Sequence, residues 1–478
     1  MKKILLMLSL VLLVLLSCTK NLDDYNLDTK SAQQGEAPAE TLVSNAQIGL
    51  ARILANPNVN YNIFRLLVQH WTETTYTDES NYNLVTRTIP DNFWAVLYRD
   101  VLRDLKEAKD LVEKTDPKFT DPAVIKNRLA IIDALEVYTY ATLVNTFGNI
   151  PYAEALDISN PTPKYDDAAT IYADLLKRLD EDLANLTEGQ ESYGSADVYY
   201  KGNVTQWKMF TNSLKLKLGI TLADADPAKA KAAVETAAPN VFQSEADRTT
   251  LKFMSAPPNT NPIWVDLIQS KRKDFVIANT LVDKMNELED PRRPQYFTKV
   301  GDNYKGGVYG AQNNYASFSK VSAKITDPEF ESMLMDYVET EFYLAEAVER
   351  GYQVPGTAAE HYTNAIRSSI IYWGATQAEA DAYLAKPEVA YATAAGDFKQ
   401  RIGTQKWIAL FNRGFEAWTE WRRLDAPKLV PPPTTTKPIP LRFSYPINEQ
   451  KLNSKQYEAA AIAIGGDKTI TRLFWDKQ

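Results

Sequence analysis

The segment TEFYLAEAVERGYQVPGTAAEHYTNAIRSSIIYW, residues 340–373, decides the fold. Apolar residues recur at helical spacing on both sides of a break with Gly and Pro, which predicts paired helices over 329–350 and 356–373. Small and aromatic residues occur in this pair at the spacing of tetratricopeptide helices, namely Tyr343, Ala347, Gly351, Ala358, Tyr362 and Ala365. Small residues let paired helices approach while tyrosine fills the groove between them. The segment therefore predicts one unit of a helical-repeat scaffold.

The same amphipathic pattern extends through much of the chain. It predicts further helices over 41–56, 63–71, 92–112, 121–147, 166–186 and 202–223. The pairs within 121–186 and 329–373 are expected to stack as repeat units, although no clean 34-residue register runs along the chain. The predicted fold class is mostly α, with a tetratricopeptide-like helical-repeat scaffold that carries a large, irregular, loop-rich ligand-binding region.

The segment QKWIALFNRGFEAWTEWRR, residues 405–423, is rich in tryptophan. Spacings of four, three, four and three residues predict one stripe of a single helix, formed by Trp407, Phe411, Gly414, Trp418 and Trp421. Such a stripe resembles a binding groove, but its spacing favours core packing, with Gly414 admitting a close neighbour. Arg422 and Arg423 are expected to cap the negative end of this helix.

Residues 224–328 differ in composition from the helical frame predicted over 41–223 and 329–478. Asn, Gly, Pro, Ser and aromatic residues accumulate there, as in GDNYKGGVYGAQNNYASFS at 301–319. A second polar loop runs from 72 to 90. Loops carried on a rigid frame are where binding residues usually lie, which favours a role for both in ligand binding; the alternative is that they are passive insertions.

Aromatic residues are frequent in these polar loops, and the chain has 26 tyrosines. The C–H face of a sugar packs on an aromatic ring, while Asn, Asp and Arg side chains hydrogen-bond the hydroxyls. The predicted ligand-binding residues are Trp71, Tyr76, Asp78, Asn81, Tyr82, Trp264, Tyr296, Tyr304, Tyr309 and Tyr315. The competing interpretation is that these rings are structural, since Tyr and Trp pack well at half-buried positions.

The N-terminus has the layout of an export signal. Two lysines precede an apolar run of thirteen residues, which is too short to span a bilayer. Because LLSC at 15–18 resembles a bacterial lipobox, residues 1–17 are predicted to be a signal peptide and Cys18 the lipid-attachment site. An ordinary signal peptide with an incidental cysteine is the alternative. Polar, acidic residues 18–40 are expected to form a flexible tether to a folded domain over 41–478.

Charge and reactive residues narrow the classes of function. The formal charge of −8 disfavours nucleic acid as a partner. The two histidines, His70 and His361, lie far apart and neither has a second His or Cys nearby, so no metal or cofactor is predicted. The Gly-x-Ser-x-Gly motif of serine hydrolases is absent from the sequence. A carboxylate pair for glycoside hydrolysis stays open among 61 acidic residues.

Several segments together resemble the SusD/RagB family of outer-membrane nutrient-binding lipoproteins, and in particular its SusD-like second subgroup. The matching segments are LSC at 16–18, HWTETTYTDESNY at 70–82, FGNIPYAEAL at 147–156, TEFYLAEAVERG at 340–351, QKWIALFNRGFEAWTEWRR at 405–423, IPLRFSYPINEQKLNSKQY at 439–457 and LFWD at 473–476.

The resemblance implies a helical domain held outside the cell on the outer membrane by its lipid anchor. It implies a partner, a SusC-like TonB-dependent transporter, over which the protein closes as a lid after capturing an oligosaccharide. It also implies a binding protein and not an enzyme, with Trp71, Tyr76 and Trp264 in the regions of the ligand face. The alternatives are peptide capture in the same transport system, a helical-repeat scaffold without a transport role, and a surface hydrolase.

Overall fold

The structure is a computed structural model that describes residues 35–477. The predicted signal peptide, Cys18 and the tether up to residue 34 lie outside the described residues. Within 35–477, no helix combines the length and the apolar composition needed to cross a membrane.

Helices form the frame of the molecule. They are α1 Ala39–Ala55, α2 Phe64–Leu67, α3 Ile89–Ala95, α4 Arg103–Glu113, α5 Pro122–Phe147, α6 Ala168–Asn185, α7 Val204–Thr221, α8 Pro227–Ala237, α9 Pro262–Trp264, α10 Asn279–Glu287, α11 Arg293–Tyr296, α12 Tyr337–Glu349, α13 Ala358–Trp373, α14 Gln377–Leu384, α15 Phe398–Ala409, α16 Gly414–Leu424, α17 Ile447–Leu452 and α18 Ser454–Ala463. π-Helical turns at Val96–Leu102 join α3 to α4, so the helix predicted over 92–112 is present in a locally widened form.

The strands are short and pair in twos. They are β1 Trp71–Glu73, β2 Ile150–Pro151, β3 Tyr165–Asp166, β4 Thr249–Leu251, β5 Phe275–Ile277 and β6 Ser332–Met335. β1 pairs antiparallel with β5, with Trp71 opposite Ile277 and Glu73 opposite Phe275. β2 pairs with β3, and β4 pairs with β6. Since β6 occupies the start of the helix predicted over 329–350, that helix begins only at Tyr337, where Asp336 caps it by accepting from the Glu339 backbone N–H at 2.7 Å.

The repeat scaffold is a stack of helix pairs. α1 packs on α4, α5 on α6, α7 on α8 and α12 on α13, and the pairs are joined by contacts of α4 with α5, α6 with α7 and α7 with α12. This confirms the predicted tetratricopeptide-like fold. Residues 227–237 were predicted to be irregular, which is wrong because they form α8. This helix packs against α7, and the absence of a side chain at Gly219 of α7 leaves room for Ala233 of α8.

His361 of α13 holds the connection between α12 and α13 in place by contacting both α12 and the connecting loop. Its Nδ1 lies 3.0 Å from Oε2 of Glu341 on α12, and its Nε2 lies 2.6 Å from the carbonyl oxygen of Pro355. Two acceptors favour the doubly protonated imidazolium, which donates from both nitrogens. Although burial opposes the charge, the hydrogen bond and the negative charge of Glu341 raise the pKa of His361 above its usual value.

The tryptophan-rich segment forms two helices, so the prediction of a single helix over 405–423 is wrong. The chain leaves α15 after Ala409, and Asn412 takes a left-handed conformation with φ 69° before α16 begins at Gly414. The core prediction holds for Trp407, Phe411 and Trp418, which are buried, whereas Trp421 is half-buried. The break turns both helices towards the same core.

Arg422 and Arg423, which were predicted to cap the negative end of the helix, are buried and contact other helices. Arg422 donates to the carbonyl of Trp418 in its own helix at 3.1 Å and to the carbonyl of Asn145 at 2.8 Å. Arg423 pairs with Glu346 on α12 at 2.5 Å. A buried charge needs an ion pair or a full set of hydrogen bonds; Arg423 has the first and Arg422 the second, and these contacts tie α16 to α12 and α5.

Candidate ligand-binding face

Four loop segments of the chain meet on one surface. They are residues 74–82, 271–274, 304–320 and 430–437, and we call this surface the loop face. The pairing of β1 with β5 brings the first two segments together, since each strand leads directly into or out of one of them. The helix predicted over 63–71 is wrong here, because α2 ends at Leu67 and Trp71 belongs to β1.

Backbone contacts fix the positions of these segments. The hydroxyl of Thr74 donates to the carbonyl of Lys273 at 2.7 Å, and the carbonyl of Thr74 accepts from the backbone N–H of Asn313 at 2.8 Å. Segment 430–437 can pack close to Gly310 only because glycine has no side chain. A Cβ at this position would lie 2.4 Å from Cβ of Pro432. The loop face is therefore assembled by the fold before any ligand arrives.

Two asparagines are used to hold the loops together. The Asn81 amide donates to the carbonyl of Gly310 at 2.8 Å, and its oxygen accepts from the hydroxyl of Thr434 at 2.6 Å. The buried Asn313 amide donates to the carbonyl of Glu73 at 3.1 Å. The side-chain amide of Asn81, a predicted ligand-binding residue, is therefore already hydrogen-bonded within the protein. Sequence reasoning missed Asn313, since an asparagine in a polar loop gives no sign of burial.

Four of the predicted ligand-binding rings are in the core, which corrects their assignment. Their exposed fractions are 1% for Trp71, 4% for Tyr82, 0% for Tyr296 and 5% for Tyr309. The Trp71 ring packs against Phe275 with centroids 5.5 Å apart, and Tyr296 stacks on Phe411 at 4.2 Å. A sugar cannot pack on these rings because protein atoms already cover them.

Other predicted residues remain accessible. Tyr76 is 71% exposed and Asp78 is exposed beside it on the same segment of the loop face. Tyr315 is half-buried on the 304–320 segment, and the Gln312 amide next to it donates to the carbonyl of Thr75 at 3.4 Å. The structure thus brings the regions of Tyr76 and Tyr315 together.

The two remaining predicted rings have different surroundings. Trp264 is half-buried on α9, which contacts α1. Tyr304 is half-buried in the loop face, with Arg293 and Lys299 each 5.7 Å from its ring centre. Tyr76 therefore has the most exposed ring among the eight aromatic residues predicted to bind ligand.

Two buried carboxyl groups, those of Glu73 and Glu79, help to hold the 74–82 segment in place. Glu73 accepts from the backbone N–H of Ser80 at 2.8 Å, and Glu79 accepts from Nε of Arg87 at 2.6 Å. Burial, followed by the hydrogen bond and charge of Glu79, raises the pKa of Glu73 to about 9. At neutral pH Glu73 is therefore protonated. The TETTYTDES sequence did not distinguish these two acids from exposed ones.

Two further features, a histidine and a small cavity, lie in the folded core. Burial and the charge of Arg65 lower the pKa of His70 to about 3, against the opposing effect of its hydrogen bond to the Trp407 carbonyl, so its imidazole is neutral. Among residues 35–477, no three His, Cys, Asp or Glu side chains are grouped so as to hold a metal ion. A cavity of about 40 Å³ beside Phe330, Ser332 and Arg413 has room for water and is too small for a sugar ring.

Comparison with known proteins identifies the family. A SusD-like family model described as "Starch-binding associating with outer membrane" matches residues 30–446. No curated protein matches the chain.

Solved structures of the same fold agree with this match. A chitin-binding protein is 26% identical, with a TM-score of 0.79 over 92% of this chain and 100% of that chain. A chitin-binding SusD homolog from Flavobacterium johnsoniae is 25% identical, with a TM-score of 0.77 over 91% of this chain and 98% of that chain. A SusD homolog from Bacteroides uniformis is 26% identical, with a TM-score of 0.75 over 91% of this chain and 99% of that chain. The chain belongs to the SusD/RagB family, in its SusD-like branch.

Proposed function

We propose that this protein is a cell-surface lipoprotein that captures oligosaccharides and delivers them to a SusC-like TonB-dependent outer-membrane transporter, for which it acts as a lid. SusD-like proteins are binding proteins and not enzymes. The proposal rests on one feature of the molecule. The exposed ring of Tyr76 lies on the loop face, whose segments are held in place by hydrogen bonds within the protein.

An exposed aromatic ring on a fixed loop suits sugar recognition. The ring offers a flat apolar surface for the C–H face of a pyranose, and Asp78 beside it can accept hydrogen bonds from hydroxyls. Because the loop positions are fixed by backbone bonds, little conformational entropy is lost when the sugar binds. The chitin-binding relatives and the starch-binding description of the family support a glycan as the ligand.

The proposed anchor keeps the protein at its partner. Two or more acyl chains on Cys18 would hold the protein in the membrane, at about 0.8 kcal/mol per buried CH₂ group. The tether would join the folded domain near α4, where the backbone N–H of Gly35 donates to Glu107 at 2.7 Å. A tethered lid stays at high effective concentration over its transporter and can open without being lost.

Binding of a glycan panel to the purified protein tests the ligand class. Affinity gels and calorimetry should show binding, and chromatography should show no released sugars. Tyr76→Ala should weaken binding about tenfold, as expected for the loss of one aromatic contact. The matched control is Phe119→Ala, which removes a ring that is 88% exposed in a loop outside the loop face.

Two outcomes would contradict this assignment of the ligand. Equal losses in the Tyr76 and Phe119 variants would show that the loop face is not the binding surface. Release of sugars, abolished by changing one carboxylate, would identify a hydrolase instead.

Membrane recovery tests the transport role separately. The wild-type protein should sediment with outer membranes and co-purify with a β-barrel transporter, while Cys18→Ala should be released from the membrane. Recovery of soluble partner proteins alone from wild-type cells would favour the scaffold alternative.

A further inference from the structure

Cationic side chains gather around aromatic rings of the loop face. Nζ of Lys273 lies 5.9 Å and Nζ of Lys320 lies 5.2 Å from the ring centre of Tyr315. Nζ of Lys305 lies 5.2 Å from the ring centre of Phe318. These distances are within the range of about 6 Å in which a cation is attracted to a ring face. We call these five residues the basic-aromatic cluster.

The fold assembles this cluster from segments that are distant in sequence. Lys273 comes from the segment before β5, and Lys305 and Lys320 come from either end of the 304–320 segment. The backbone N–H of Lys305 donates to the Ser319 hydroxyl at 2.9 Å, and the backbone N–H of Ser319 donates to the carbonyl of Lys305 at 2.7 Å. These bonds hold the backbone of Lys305 beside that of Ser319, the neighbour of Lys320, and the Thr74 hydroxyl holds the carbonyl of Lys273 at 2.7 Å.

The positive charge of the cluster is not neutralised within the protein. Within residues 35–477, none of its three lysines forms an ion pair with a carboxylate; the nearest acid in sequence, Asp274, pairs with Arg272 at 3.5 Å. The ammonium group of Lys320 donates to backbone carbonyls, at 2.9 Å to that of Phe318. The four segments of the loop face carry six Lys and Arg against three acidic residues, of which Glu79 is buried. This surface is positive on a chain whose formal charge is −8.

We infer that the glycan taken up by this protein is anionic, a uronate-containing or sulfated oligosaccharide; the inference rests on the proposed function. Carboxylate and sulfate oxygens accept charge-assisted hydrogen bonds from lysine, and such bonds are stronger than those of neutral hydroxyls. The rings of Tyr315 and Phe318 supply the apolar contacts for the sugar. A neutral glycan would use these rings, but its hydroxyls would form weaker hydrogen bonds with the three ammonium groups than carboxylate or sulfate oxygens do.

Calorimetry with oligosaccharides of equal length tests the charge of the ligand. The probes are an oligogalacturonate, a sulfated galactan oligosaccharide and a neutral chitooligosaccharide, each titrated at low and at high salt. At least one anionic probe should bind about tenfold or more tightly than the neutral one, and its affinity should fall as salt screens the lysines. Which anionic probe binds better distinguishes a carboxylate ligand from a sulfate ligand.

A charge-matched set of variants locates the effect. The double variant Lys273→Gln with Lys305→Gln should lose about tenfold in affinity for the anionic probe and much of its salt dependence, since each exposed charge contact contributes a few-fold. Replacement of both residues by Arg keeps the charge and should keep the affinity. The control double variant Lys118→Gln with Lys126→Gln makes the same change in net charge at exposed positions outside the loop face. Equal urea midpoints for all variants would confirm that folding is unaffected.

The outcomes separate this inference from the proposed function. Equal, salt-insensitive binding of neutral and anionic oligosaccharides would overturn the inference and leave glycan capture standing. An equal loss of affinity in the control double variant would also overturn it. Binding of acidic peptides with no affinity for any glycan would overturn the proposed function itself.

Discussion

Replacement of Gly414 by alanine is expected to destabilise the protein by about 2–3 kcal/mol. A Cβ at this position would lie 2.5 Å from the backbone nitrogen of Arg65 and 2.9 Å from the carbonyl carbon of Phe64. Non-bonded contact between heavy atoms needs about 3.5–4.0 Å, so the new atom is about 1 Å too close to α2. Since backbone atoms cannot rotate away as a side chain can, the cost falls at the upper end of the range for overpacking.

The neighbour cannot move aside cheaply. The guanidinium of Arg65 is buried and donates to the carbonyls of Ala55 and Asn56, each at 3.0 Å, and to the Asn412 amide oxygen at 2.9 Å. Displacing α2 would break these bonds and would also shift β1, which follows α2 and leads into the loop face. Gly414→Ala should therefore weaken ligand binding as well as folding.

Urea unfolding, followed by both tryptophan fluorescence and circular dichroism, measures the effect. The matched control is Gly49→Ala inside α1, where a Cβ would lie at an ordinary 3.6 Å from the Asp100 carbonyl oxygen and Val101 Cγ2. Because alanine is the better helix former, Gly49→Ala should stabilise by about 0.5–1 kcal/mol. The reasoning is refuted if the two substitutions change the free energy of unfolding with the same sign.

Two further predictions concern pH. Because the folded-state pKa of Glu73 is raised from 4.5 to about 9, the stability supplied by its protonated form is complete below pH 4.5 and is lost as pH rises through about 9. Glu73→Gln should therefore gain stability relative to wild type between pH 5 and pH 9 in urea unfolding, and a constant difference would contradict the buried proton. The pKa of His361 is also raised, so its contribution is complete below pH 6.5 and is lost as pH rises through the folded-state value. His361→Gln should cost more stability at pH 6 than at pH 9, and an equal cost at both would rule out the imidazolium.

The helical frame could be predicted from the sequence because its signals are local. Asp121 followed by Pro122 marks the start of α5, and Thr357 with Glu360 forms the capping box of α13. These patterns depend on neighbours within one or two turns, so no tertiary information is needed to interpret them. Residues 332–335 were misassigned because the strand β6 is fixed by its partner β4, which lies about eighty residues away in the chain.

The binding residues could not be predicted in the same way. Trp71 and Tyr76 stand five residues apart in one polar, aromatic segment, and both carry rings suited to a sugar. The pairing of β1 with β5 buries the first against Phe275, while the second leaves the strand and stands in solvent. Trp71 and Tyr76 lie in the same kind of local sequence. Which of the two rings is accessible is decided by pairing with β5, about two hundred residues further along the chain.

The sequence by itself determined the class of fold, the repeat pairing of α12 with α13, the burial of Trp407 and Trp418 and the family, since each depends on local periodicity or on a recognisable motif. Only the tertiary structure decided which aromatic rings are free and where charge accumulates. Lys273 belongs to the short basic run 271–273, whereas Lys305 and Lys320 stand singly in a polar loop, and nothing in the sequence joins the three. They form one positive surface because hydrogen bonds bring together segments from different parts of the chain. Contacts between residues so far apart produce no periodic pattern in the sequence from which they could be predicted.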